Sequence, residues 1–245
     1  MSKFIDKLSL ISQGGLKPMG FRAAGVPPKP RLLLVAHMAG TGAKATGADA
    51  LLLSVPKTGA KSPKAKAAKD IPWGGWLSEV GKEGIRKVAE AGGDFVVFPA
   101  ASASLAVLQE EKLGKILEVE PSLDPGLLKA IDDLPVDAVL ITAEGGKDYL
   151  LTWRHLMLFQ RAANMLTKPL LAAVSPDVAA SELQALWETG VSGVVVKVGT
   201  EGKLAKLRQV IDKLVLPSPG KRRRTEPLVP HIGRERLVAS EEEEE

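Results

Sequence analysis

Glu118 and Glu120 stand two residues apart in the run KILEVE, and Lys197 closes the β-branched run VVVK. Carboxylates in such places move protons, and an amine either does the same or condenses with a carbonyl to a Schiff base. Few other polar side chains end an apolar run: His37, Ser54, Thr142, Glu144 and Asp177 complete the set. Side chains alternate along a strand, so Glu118 and Glu120 share a face with Ile116, and Lys197 shares one with Val195. A charge facing apolar helices is costly, so these groups are expected to point into an open, wetter cavity. A lysine in a desolvated pocket loses its proton more readily, and a carboxylate beside it can shuttle that proton. The candidate catalytic set is therefore Lys197, Glu118, Glu120 and Glu144. The alternative is that Glu118 and Lys197 form a buried ion pair with no turnover. His37 reads as a hydrogen-bonded strand-end residue rather than a catalyst. His155, inside an apolar helix, and His231, in the tail, read as structural or surface residues. Three scattered histidines make no metal site.

The elements that must position these groups alternate along the chain. Strands are predicted over Pro18–Phe21, Arg31–Ala36, Asp49–Ser54, Asp94–Phe98, Lys115–Val119, Ala138–Thr142, Leu170–Val174 and Val194–Val198, from short apolar or β-branched runs. Phe4, Leu8 and Ile11 mark a first helix that covers one end of the core. Further helices are expected from Leu77, Val80, Ile85 and Val88, over Ser104–Glu111, and after the Asp124–Pro125 start signal. Three more follow, over Leu151–Leu166, after Ser175–Pro176–Asp177, and through Leu204, Leu207, Ile211 and Leu214. Trp73–Gly74–Gly75–Trp76 reads as a hinge or an anchor before the first of these. Eight strands alternating with helices imply a parallel sheet, and residues 16–216 suffice to close it as a (β/α)8 barrel, a fold of typically ~250 residues.

The phrases TGADALLLS, AGGDFVVFPA and TGVSGVVVKVGTEGKL resemble the strand patterns of aldolase-type and phosphate-binding TIM barrels. The resemblance implies a site at the C-terminal strand ends and an anion held by the loops after the seventh and eighth strands. That role would fall to Ser175–Pro176–Asp177 and to Gly199–Thr200–Glu201–Gly202. The candidate anion-binding set is thus His37, Ser54, Ser175, Gly199 and Thr200. The first of these loops departs from the family pattern in lacking glycine and carrying Asp177.

Composition narrows the function classes. The chain has 245 residues, is 45% hydrophobic, and carries a net charge of +4. Its lack of cysteine excludes disulfides, thiolate nucleophiles and Cys-ligated zinc or iron–sulfur clusters. MSKFIDKLSLISQGG is broken by charge and reads as no signal segment, and no run approaches ~18 apolar residues. The expected compartment is the cytoplasm, without membrane contact. Gly40–Thr41–Gly42–Ala43–Lys44–Ala45 matches the GxGxxA form of a dinucleotide phosphate loop, but no acid ends the next strand, where Ser54 stands, and the stretch reads as a glycine-rich connector rather than a nucleotide loop. Lys57, Lys61, Lys64, Lys66 and Lys69 crowd one loop, which either closes over an anion or is a solvated insertion. No aromatic residue interleaves these lysines, so nucleic acid is not the expected partner. Residues 1–216 are expected to form one barrel domain and 217–245 a disordered charged tail. Trp153, Leu156 and Met157 form a second apolar stripe, to be covered by the N-terminal helix or by the second subunit of a homodimer. The resulting expectation is a lyase- or isomerase-like barrel that needs no cofactor and acts on a small anionic, phosphorylated or similar metabolite by proton transfer or Schiff-base chemistry. The alternative is a catalytically silent barrel that binds a protein or nucleic acid through its lysine loop and tail.

Overall fold

A computed structural model describes residues 2–12, 32–38, 46–55, 71–77, 82–142, 150–198 and 203–214. Eight parallel strands close into a barrel in sequence order. They are β1 Leu33–Met38, β2 Ala50–Val55, β3 Trp73–Leu77, β4 Phe95–Pro99, β5 Gly114–Val119, β6 Ala138–Ile141, β7 Leu170–Val174 and β8 Gly193–Lys197. β1 pairs with both β2 and β8, which completes the ring. Around it lie α2 Lys82–Glu90, α3 Pro125–Ala130, α4 Trp153–Met165, α5 Ala180–Glu188 and α6 Lys203–Asp212, with α1 Lys3–Ser12 preceding the first strand.

Two apolar clusters divide the molecule as strand alternation requires. Leu33, Val35, Ala50, Leu52, Phe95, Val97, Ile116, Ala138, Leu140, Leu171 and Val195 fill the barrel, while the intervening residues meet the helices. α1 closes the floor as expected. Phe4 and Leu8 are fully buried in the inner cluster, and the Phe4 and Phe95 rings lie 4.6 Å apart. Asp94, just before β4, caps this helix from outside: it accepts from Ser2 Oγ (2.7 Å), Lys3 N (2.8 Å) and Phe4 N (2.9 Å).

The sequence reading and the structure differ at four elements. Trp73–Gly74–Gly75–Trp76 is neither hinge nor anchor but most of β3. Its glycines are there for space, since a Cβ on Gly74 would lie 2.5 Å from the Phe95 ring and one on Gly75 would lie 2.6 Å from Val88. Leu77 consequently belongs to β3, and α2 starts only at Lys82. The segment over Ser104–Glu111 is a 3-10 turn, Leu105–Gln109, capped by Ser104. α5 begins at Ala180, where Glu182 accepts from Ala179 N (2.7 Å), and Ser175–Pro176–Asp177 forms a separate turn before it. Asp124, by contrast, caps α3 as expected. The predicted strand Pro18–Phe21, the glycine-rich stretch 40–45, the lysine loop and residues 217–245 lie outside the described residues. On α4, Leu156 packs on the core, whereas Trp153 and Met157 are exposed. Leu156 therefore does not belong to their outer stripe, and α1, committed to the floor, does not cover it.

Candidate active site

The C-terminal strand ends form the barrel mouth, and their inward positions carry most of the polar side chains. On β1, β2, β3, β5 and β8 the inward series continues from Val35, Leu52, Gly74, Ile116 and Val195 to His37, Ser54, Trp76, Glu118 and Lys197. Thr142 follows Leu140 in the same way past the end of β6. Strand register brings His37 opposite Lys197.

These groups are organised by one another. Glu118 accepts from Trp76 Nε1 at 2.8 Å through one carboxylate oxygen and from Thr142 Oγ1 at 3.0 Å through the other. His37 Nε2 and Ser54 Oγ are 2.8 Å apart. The Trp76 and His37 rings are in contact, with centroids 4.4 Å apart and planes tilted by 42°. A connected series thus runs from Ser54 through His37 and Trp76 to Glu118 and Thr142. Burial, and secondarily the charge of Lys197, lowers the His37 pKa from 6.5 to about 4, so the imidazole is neutral at neutral pH.

Lys197 is exposed and has no ion-pair partner among the described residues. The buried ion pair with Glu118, the alternative reading, is not formed. β5 and β8 are not neighbours in the ring, and both oxygens of Glu118 are engaged by uncharged donors. Glu120 is exposed past the end of β5, in a turn whose Leu123 N–H donates to the Glu120 carbonyl, so it stands outside the connected series. Ser175 follows β7 on the inward series, and its hydroxyl accepts from Asp177 N at 3.3 Å within its own turn. Asp177 turns to Lys203, with its two oxygens 2.7 and 2.8 Å from Nζ. Glu144, Gly199 and Thr200 lie outside the described residues, as does His231. His155 helps cap α4, accepting from Thr152 N at 3.1 Å through Nδ1. Among the described residues no group of three His, Asp or Glu side chains is placed to hold a metal ion. No helix among them is long and apolar enough to cross a membrane.

Trp76 is the mouth residue that the sequence reading missed. The available signal was alternation through WGGWL, which sets Trp76 on the face opposite Trp73 and Leu77. Two adjacent glycines hid it, because they lower strand propensity and interrupt the apolar run.

A closed ring of eight parallel strands with helices packed around it is the TIM-barrel fold. No protein-family model and no curated protein matches the chain. Among solved structures it is similar to the tryptophan synthase alpha-subunit of the hyperthermophile Pyrococcus furiosus. Two mutant forms of that subunit align at TM-scores of 0.56 and 0.55 with 16% and 17% identity, over 75% of this chain and 97% of theirs. A further structure of the same subunit aligns at 0.57 with 16% identity. At that identity the likeness is one of fold.

Proposed function

We propose that the barrel mouth binds a small anionic metabolite and acts on it by proton transfer, as a lyase or isomerase would. The observation that carries this reading is the connected series Ser54–His37–Trp76–Glu118–Thr142 beside the exposed cation Lys197. Structural carboxylates are ordinarily satisfied by backbone N–H groups or paired cations. Glu118 instead takes one side-chain donor on each oxygen, and each oxygen retains a further acceptor site for a substrate proton. Glu118 is the proposed general base, Lys197 the group that attracts the substrate anion, and His37, Ser54 and Thr142 the neutral hydrogen-bonding contacts. The exposure of Lys197 favours this role over Schiff-base formation, because lysines that condense with carbonyls are activated by desolvation. The similarity to tryptophan synthase alpha-subunits supports an enzyme barrel and leaves the substrate to experiment.

The test is a thermal-shift screen of phosphorylated sugars and keto acids on the full chain. Each ligand found is then incubated in D2O, and loss of its C–H signals is followed by NMR. Glu118→Gln should slow exchange by about 100-fold or more while retaining ligand-induced stabilisation. Salt-dependent retention on nucleic acid, with no metabolite raising the melting temperature, would favour the silent-barrel alternative instead.

A further inference from the structure

The indole of Trp76 makes two contacts of different kinds at once. Its N–H donates to Glu118 Oε2 at 2.8 Å, and its ring rests against the His37 imidazole at 4.4 Å. We propose that Trp76 is the positioning residue of the mouth, holding the carboxylate of Glu118 through its indole N–H and the imidazole of His37 through its ring. The assignment rests on the proton-transfer reading above, and it deepens that reading by separating two roles. Glu118 is held as the charged acceptor, and His37 as an uncharged contact that does not compete with Lys197 for an anion.

Three features make Trp76 suited to this. An indole N–H is a donor only, so it cannot rotate into an acceptor and release the carboxylate as a hydroxyl can. The backbone beneath it is confined: β3 pairs with β2 and β4, and both glycines before Trp76 are packed too closely for any side chain. Its ring also contributes to the burial of His37. The polar and charged described groups beside that imidazole are Ser54 from β2 and Lys197 from β8, and neither compensates a positive charge there. A side chain that merely filled space would need neither the N–H contact nor the ring contact.

The experiment uses the full chain and needs no ligand for its first two parts. Four tryptophans give four indole signals in a nitrogen–proton spectrum, and Trp76→Phe identifies the relevant one. Glu118→Gln replaces the charged acceptor by a neutral one of the same shape and should move the Trp76 indole signal upfield. The His37 imidazole should titrate near pH 4 in the unmodified protein. It should stay low in Trp76→Phe, which keeps a ring, and rise toward 6.5 in Trp76→Leu, which does not. In the third part, Trp76→Phe should lower the rate of substrate proton exchange at least tenfold with KM changed less than twofold, because the Lys197 contact remains. An indole signal indifferent to Glu118→Gln, together with a His37 titration unmoved in Trp76→Leu, would overturn the assignment. Absence of any ligand or exchange in the unmodified protein would count against the proposed function instead, and the two spectral parts would still decide the role of Trp76.

Discussion

The floor and the mouth of this barrel both carry polar side chains at strand ends, and they satisfy them in opposite ways. At the floor, Asp49 accepts from Leu34 N at 2.9 Å, Asp137 from Lys115 N at 2.7 Å, and Asp94 from the first turn of α1. Each of these carboxylates closes a backbone group that strand or helix geometry leaves open. Asp49 is held further by Arg208 Nη1 at 2.7 Å. At the mouth, Glu118, His37 and Ser54 bond to side chains from other strands, and Lys197 faces solvent. Backbone-directed bonds stabilise the fold and leave nothing for a ligand. Bonds among side chains hold a constellation while keeping acceptor sites open, and that contrast is the reason for placing function at the mouth.

The contrast predicts that stability is concentrated at the floor. Phe4→Ala removes a fully buried ring packed at a tilt against Phe95 and should cost about 3–5 kcal/mol in denaturant unfolding. Asp94→Ala leaves three donors at the start of α1 without their acceptor and should cost about 2–4 kcal/mol. Glu118→Gln at the mouth keeps shape and acceptor capacity at one oxygen and should cost less than about 1 kcal/mol. Equal losses for Asp94→Ala and Glu118→Gln would erase the distinction.

A second, smaller effect tests the electrostatics of the mouth through pH. The folded pKa of His37 lies below its ordinary value, so the unfolded chain takes up the proton first. The contribution of neutral His37 is complete above pH 6.5, is lost as pH falls from 6.5 toward 4, and levels off below that. His37→Asn should therefore reduce the stability difference between pH 7 and pH 4 by on the order of 2 kcal/mol, allowing for solvent screening of the partly exposed ring. Unchanged pH dependence in the variant would show that the imidazole is not held neutral.

Much of this was legible from the chain alone, and the failures have physical causes. Seven of the eight barrel strands could be read because Leu33–Met38, Ala50–Val55 and their counterparts are near-continuous apolar runs, as strands buried on both faces must be. β3 could not, because Gly74 and Gly75 make sense only against Phe95 and Val88, which are distant in sequence. With β3 went Trp76, and with Trp76 the contact that organises Glu118. Alternation set Glu118 and Lys197 on the inward face, but a one-dimensional pattern gives a face and not a separation across the ring. Ser175–Pro176–Asp177 imitates a helix start in composition, while the actual cap depends on Glu182 reaching back to Ala179. The phrases containing Asp49 and Asp94 suggested the fold, yet nothing local showed that Asp94 would cap a helix some ninety residues earlier.

An equally small effect on stability is expected at Lys197, and it separates the two ends of the barrel most sharply. Had Lys197 been half of a buried pair with Glu118, Lys197→Met would cost roughly 3–5 kcal/mol, since the remaining charge would be left buried and uncompensated. The structure removes the basis for that cost: the lysine is exposed, and Glu118 keeps both of its donors without it. Methionine preserves most of the aliphatic stem, so the change in unfolding free energy should stay below about 1 kcal/mol. The same substitution removes the mouth cation proposed to attract the ligand, and a thermal-shift titration should then show no stabilisation by anions that stabilise the unmodified protein. It also removes the charge that opposes protonation of His37, so that imidazole should titrate somewhat above its value of about 4, with burial still holding it below 6.5. Retained ligand stabilisation in Lys197→Met would move the anion contact to another part of the mouth. A loss of several kcal/mol would show that Lys197 serves the fold, as the floor carboxylates do, and would remove the contrast on which the functional reading stands.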